Sequence, residues 1–351
     1  MKKITLLLTS FLFLLSACSP QATATQPAGP QTITVMTHDS FSVGEEVIKA
    51  FEEANNAKVV LLQSGDAGAV LNKAVLTKDA PLADLLFGVD NTFLSRALEA
   101  DIFEAYESPL LSEIPEQFKL DPSNQALPVD YGDVCINYDK AYFNDNNLAV
   151  PQSLEELTKP EYAGLLVAEN PATSSTGLAF LLATVAHYGD SFTDYWQELK
   201  DNGVVVADGW ETAYYTNFSG SSGNGPQPMV VSYGSSPAAE VIFAEKPLDD
   251  APTASILGPD TCFRQIEFVG ILKGTPQRAL AEKFVDFMLG EQFQEDVPLQ
   301  MFVYPVNPNA ALPEEFTKYA QAPRQAATLA PEVIAANRDR WIQAWADVLL
   351  K

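Results

Sequence analysis

Hydroxyls, carboxylates and aromatic rings gather in a few short turns of this sequence, and such groups suit recognition better than bond making. The run Thr173-Ser174-Ser175-Thr176-Gly177 precedes an apolar helical stretch. Its hydroxyls and free backbone N–H groups would form an anion pocket at a helix N-terminus. Ser174 and Ser175 are the foremost candidates for that pocket, and a plain N-cap is the competing reading for any one residue. Comparable turns are Thr37-His38-Asp39-Ser40-Phe41, Gly88-Val89-Asp90-Asn91, Asp130-Tyr131-Gly132, Gly209-Trp210-Glu211-Thr212-Ala213-Tyr214, Ser232-Tyr233-Gly234-Ser235-Ser236-Pro237 and Tyr304-Pro305-Val306. Catalytic signatures are missing: there is no GxSxG, HExxH, GxxxxGK[ST] or GxGxxG, and no spacing singles out an acid/base pair of carboxylates. Of the two histidines, His187 ends an apolar helix and reads as a C-terminal residue facing the dipole rather than as a base. With no CxxC or Cys/His cluster, neither a metal nor a cofactor is expected, and no enzyme is expected.

The 351 residues carry 21 Lys and Arg against 46 Asp and Glu, a formal charge of −25, and 47% of them are hydrophobic. At ~100–200 residues per domain this is two domains or one large one. The acidic excess would repel a phosphate backbone, so no nucleic-acid partner is expected, whereas cationic small molecules are admitted. Residues 1–17 read as a signal peptide: Lys2 and Lys3 are followed by an apolar run over 4–15, shorter than the ~20 residues that span a bilayer. Leu15-Ser16-Ala17-Cys18 resembles the bacterial lipobox, which makes Cys18 a lipid anchor and 18–30 a flexible tether. Losing Lys2 and Lys3 takes the formal charge from −25 to −27. Membrane attachment is then expected through lipid alone, in the periplasm or on the outer face of the cytoplasmic membrane. In that oxidising compartment the remaining pair, Cys135 and Cys262, predicts a disulfide, with two buried thiols as the alternative.

Strands and helices alternate along the rest of the chain, the α/β pattern. Strands are expected at 32–36, 58–62, 83–89 and 127–137, with helices at 45–55, 69–77 and 91–100. A second α/β region follows, with strands at 164–168, 204–207, 229–233 and 265–272 and helices at 153–157, 177–188, 194–200, 210–218 and 238–245. Helices over 276–289 and 331–349 close the chain. Two extended crossings, near 130–137 and 263–269, predict a hinge between two lobes with the ligand in the cleft. Residues 31–130 and 268–351 are assigned to lobe 1 and 131–267 to lobe 2, a type II-like two-lobed periplasmic-binding-protein fold. The hinge strands lie side by side in this reading, which brings Cys135 near Cys262.

The turns listed above, in this order from residue 32 to the C-terminus, resemble those of the thiamine-binding proteins of bacterial thiamine ABC importers. That resemblance implies a monomeric receptor that closes on thiamine, its monophosphate or its diphosphate and delivers it to an ABC permease. Thiamine presents a cationic thiazolium, a flat aminopyrimidine and a hydroxyethyl arm. Rings over such a cation contribute ~0.5–2 kcal/mol each. By resemblance Trp210 and Tyr233 stack on the ligand, and Tyr214, Ser236 and Tyr304 belong to the same set. Asp39 and Asp90 are both candidates to complement the cation, with capping of the helix after Gly44 the alternative for Asp39. Ser40 accompanies them, and Ser174, Ser175 and Thr176 receive the hydroxyl or phosphate arm. Three positions depart from the family pattern: His38 and Ala239 each replace a Tyr, and Phe302 replaces a Trp. Phe302 keeps a ring, and His38 is expected to take the aromatic role and make binding pH-sensitive. Two other readings stay open. Adjacent Tyr214 and Tyr215 suit a ferric-ion receptor, and some thiamine-degrading hydrolases share the fold class, although such an enzyme needs a nucleophile that a Cys135–Cys262 bond would consume.

Overall fold

The computed structural model describes residues 29–220 and 225–351, so the leader, Cys18 and most of the tether lie outside the described residues. Eleven strands join in one mixed sheet: β1 (Gln31–Thr37), β2 (Ala57–Gln63), β3 (Leu85–Asp90), β4 (Phe103–Glu104), β5 (Leu127–Asp139), β6 (Leu166–Glu169), β7 (Val205–Ala207), β8 (Met229–Tyr233), β9 (Thr253–Ile256), β10 (Phe263–Leu272) and β11 (Tyr304–Pro305). Their order is β2-β1-β3-β10-β5-β8-β6-β7, with β4 on β10 and both β9 and β11 on β5.

In the first lobe β1 runs parallel to β2 and β3, joined by the helices Glu45–Asn55 and Ala67–Leu76. Every residue of β3 is buried, as a strand covered on both faces requires. Phe51 and Phe284 meet edge to face at 5.0 Å where Glu45–Asn55 packs against the helix Arg278–Leu289. In the second lobe β6 runs parallel to β7 and β8. Against them lies the helix Ser175–Tyr188, buried from Ser175 to Val185, which explains its apolar character all round.

Both crossings predicted from sequence are present and paired. β10 lies antiparallel to β5 from Phe263↔Val134 to Val269↔Leu127, while β5 continues into lobe 2 against β8 and β10 continues into lobe 1 against β3. The sheet therefore passes through the hinge, with its register shifted on both sides of Phe268. Arg264 forks onto Asp133 across it, with N–O distances of 2.7 and 2.8 Å, and lies over Tyr131. One step further Cys135 and Cys262 are bonded, 127 residues apart in sequence.

Beyond β11 the chain returns to the second lobe. Phe316, on the helix Glu314–Tyr319, packs in one buried cluster with Ala238 of the helix Ser236–Ile242. The helix Pro331–Leu349 sets Trp345 against Trp196 of the helix Phe192–Asp201 at 5.8 Å, and its Arg338 reaches back to Ser95 of lobe 1. This last helix has the bounds the periodicity predicts. The helix Glu291–Gln300 and the strand β9 are not foreseen: the first contains Pro298, and the second is only four residues long. His187 is clamped between Glu155 (2.7 Å) and Asp260 (3.0 Å). Burial opposes its charge, but those two carboxylates raise its pKa above the ordinary value.

Among the described residues no helix is long and apolar enough to cross a membrane. Replacing Cys135 and Cys262 by Ser should lower stability by about 2–5 kcal/mol, because the loop they close is long. Thermal unfolding of that variant, and of wild type with and without reductant, checks this; equal midpoints would remove the bond from the stabilising set.

Candidate functional site

Turns at the strand ends of both lobes face each other over a cavity of about 400 Å³, within the ~300–1,000 Å³ of small-molecule sites. Lobe 1 brings His38, Asp39 and Ser40 from the end of β1, and Asp66 from the end of β2. Lobe 2 brings Ser175, Thr176, Trp210 and Tyr233; Glu267 comes from the hinge strand β10 and Phe302 from the approach to β11.

One wall is aromatic. The Trp210 indole N–H donates to Ser232 Oγ at 2.9 Å, and Ser236 Oγ stands 3.0 Å from that same hydroxyl, so both serines fix the indole from behind. Trp210 stacks on Tyr214 at 4.9 Å and 18°, while Tyr233 and Phe302 each stand 6.4 Å away. Tyr233 packs against the hinge at Gly132, where a Cβ would meet its ring at 2.7 Å. Its hydroxyl donates to Gln265, whose amide donates in turn to Asp90. Phe302 has φ of 63°, a left-handed backbone that a bulky residue adopts only under constraint. Its carbonyl accepts a short hydrogen bond from Ser235.

Beneath the cavity runs an acidic row that reaches it through Glu267. Asp90, Glu267 and Asp130 are register partners across β3, β10 and β5, all three buried. Burial pushes Asp90 up to about 7, even though Thr92, Phe93 and Gln265 donate to it. Burial, with the Glu267 charge alongside, raises Asp130 well above the carboxylate range. His38 Nε2 lies 3.4 Å from Glu267 Oε1, and its side chain is 12% exposed. Burial disfavours the imidazolium, but Glu267, Asp66 and Asp39 outweigh it and raise the His38 pKa. Gly88, at φ of 97°, admits this ring: a Cβ there would lie 2.3 Å from His38 Cδ2.

Asp66 spans the cleft. Its carboxylate caps its own helix through Ala67 N–H (2.6 Å) and accepts from two lobe 2 helix starts, Trp210 N–H (3.0 Å) and Ser175 N–H (3.4 Å). Beside it Gly68 N–H donates to the Thr173 carbonyl at 3.0 Å. Burial raises the Asp66 pKa despite these donors. Glu211, also in the cavity, is raised by burial and then by Asp39.

Of the residues singled out by sequence, His38, Asp39, Ser40, Ser175, Thr176, Trp210, Tyr233 and Phe302 line the cavity together. The other five lie outside that lining. Ser174 is the N-cap, accepting from Gly177 N–H. Tyr214 stands behind Trp210, Ser236 behind Ser232, and Asp90 behind Gln265. Tyr304 stacks on Tyr131 and donates to the Ala320 carbonyl. The capping alternative for Asp39 is not realised, because Gly44 N–H donates to Asp296 and Asp39 is exposed. Four lining residues stand outside the thiamine set drawn from sequence: Asp66 and Glu267 were not singled out, Glu211 was named only within its turn, and Tyr215 only for the ferric reading. An Asp before Ala-Gly and an apolar helix is a cap signal, and an acid inside the apolar run of β10 is an anomaly, so both Asp66 and Glu267 were within reach.

The model of the bacterial extracellular solute-binding proteins matches residues 80–327. The chain belongs to this family. The thiamine-binding periplasmic protein of Salmonella typhimurium is 32% identical over 346 residues, covering 97% of this chain and 98% of its own. The Escherichia coli protein of the same name is 31% identical, covering 89% and 92%. A solved periplasmic thiamin-binding protein superposes with a TM-score of 0.81 at 29% identity, covering 91% of this chain and 96% of that one. Asp66, with Gly68 beside it, ties the two lobes together across the cleft. Asp66→Ala should enlarge the radius of gyration of the ligand-free protein in small-angle scattering; an unchanged radius would show that closure does not need it.

Proposed function

We propose that the protein is a monomeric, lipid-anchored receptor that binds thiamine or its phosphate esters between its lobes, unaltered and without a cofactor, and presents it to the permease of an ABC importer. One observation carries the reading: an indole and a phenol share an interlobe cavity with the carboxylates of Glu267, Asp66, Asp39 and Glu211, with a helix N-terminus at its edge and the buried Asp90 and Asp130 beside Glu267. A quaternary heterocycle suits this setting, since it supplies the charge these carboxylates lack and a flat face for Trp210 and Tyr233. The names of the relatives agree with it.

Ser175 and Thr176 offer hydroxyls, and their helix offers N–H groups, to the hydroxyethyl arm. Asp66 already accepts from Ser175 N–H, so a phosphate must displace or share with a carboxylate. Anchoring through Cys18 places the receptor at the membrane surface, where the permease is. The ferric reading loses its basis in the tyrosine pair: Tyr214 donates to Glu240 at 2.5 Å from behind Trp210, and only Tyr215 lines the cleft. The hydrolase reading loses its cysteine nucleophile to the disulfide.

Calorimetry with thiamine, both phosphate esters and ferric citrate tests the proposal; thiamine should bind without turnover and ferric citrate should not. Trp210→Ala should weaken thiamine by at least ~1 kcal/mol, about fivefold, and an unchanged Kd would take the ring out of the site. The sign of the pH dependence follows from His38. Below its raised pKa the imidazolium competes with the ligand for Glu267, so affinity should climb as pH rises through that pKa. The climb between pH 5 and 8 should flatten in His38→Phe; identical profiles would reject a role for His38.

A further inference from the structure

A second cavity, of about 510 Å³, lies beside the first and has no part in the function proposed above. Tyr215, Phe243 and Phe302 line both, so the two spaces meet across three rings. Phe243 follows the helix Ser236–Ile242 directly and packs on Phe302 at 5.3 Å and 53°. It is nevertheless 52% exposed, so the partition depends on a side chain with room to swing. On the far side Tyr214 adds a fourth ring, and its hydroxyl fixes Glu240, which also lines the cavity, as does Glu245. Among the described residues neither Lys nor Arg lines it. Ala239, 2% exposed, supplies only a methyl group, where any longer side chain would project into the space.

Aromatic faces gathered around a fixed carboxylate, with no resident cation, form a setting for an ammonium group. The helix beneath makes that carboxylate a rigid fixture: Pro237 occupies its first turn, and Ala238 and Ala239 are buried. We propose that this cavity is a subsite for a primary or quaternary ammonium arm on the ligand that occupies the interlobe cavity. The protein then accepts heterocyclic cations extended by a second positive charge. The inference rests on the reading of the first cavity as a heterocyclic-cation site.

Three probes test it: thiamine, an analogue with a 3-aminopropyl chain in place of the pyrimidine methyl, and the N-acetylated form of that analogue. Calorimetry on wild type should show the amine binding about tenfold tighter than its acetylated form. Glu240→Gln should bring that ratio close to one, and Ala239→Tyr, by filling the space, should do the same. Should Ala239→Tyr fail to fold, the Glu240→Gln ratio decides. Equal binding of amine and acetylated forms in wild type, or a ratio that survives Glu240→Gln, overturns the subsite even if thiamine binds. Thiamine failing while the amine keeps its dependence on Glu240 would overturn the thiamine assignment and leave the subsite standing. Failure of all three probes overturns both.

Discussion

Buried negative charge at the meeting of the lobes is the constraint on which the rest of this molecule depends. Asp90, Glu267 and Asp130 stand side by side on three neighbouring strands, a juxtaposition that like charges resist. Taking even one such charge out of water unpaired is prohibitive, so the row must hold protons or find a cation. Both solutions are visible. Asp90 and Asp130 are driven toward their neutral forms by burial, and Glu267 is met by His38. The cleft is thus built to be incomplete until a positive ligand arrives, which is a reason for a binding protein to close.

The same three strands are the mechanical link between the lobes. Because the sheet passes from β3 through β10 and β5 to β8, a change of lobe angle has to be absorbed in the strands beneath the cleft. The irregular register on either side of Phe268 marks where the pairing already yields. On one side of that point the Arg264–Asp133 fork and the disulfide tie β5 to β10, and on the other the first lobe takes over. Opening is therefore confined to a short stretch, and Asp66 closes the opposite lip by accepting N–H groups from the other lobe.

The aromatic wall is held with comparable firmness. Trp210 is fixed by a serine pair and a stacked tyrosine, Tyr233 by its hydroxyl chain through Gln265, and Phe302 by a left-handed backbone that only its surroundings sustain. Fixing rings before the ligand arrives lowers the entropy lost on binding. Phe243 is the exception, and its exposure coincides with the place where the two cavities meet.

Much of the architecture was legible in the residues themselves. Apolar runs such as Leu85–Asp90 marked strands buried on both faces, the 3.6-residue period marked the helix Pro331–Leu349, and two extended segments announced a hinge with its cysteines side by side. The aromatic and hydroxyl turns were legible as well, because ligand groups cluster in loops at strand ends. Which member of each turn faces the cleft was not. Tyr214 and Tyr215 exchange their expected places because the short helix Trp210–Thr212 widens into a π-helical turn over Ala213–Asn217, a rotation that no residue type announces. Asp66 drew no attention in the sequence, and its bridge to Trp210 and Ser175 exists only because 144 and 109 positions of chain bring those groups back to it. Local sequence determines periodicity, caps and turns, since these arise within a few residues. The charge balance of the cleft is a sum over β3, β5, β10 and two facing helix ends, and only the folded arrangement sets it.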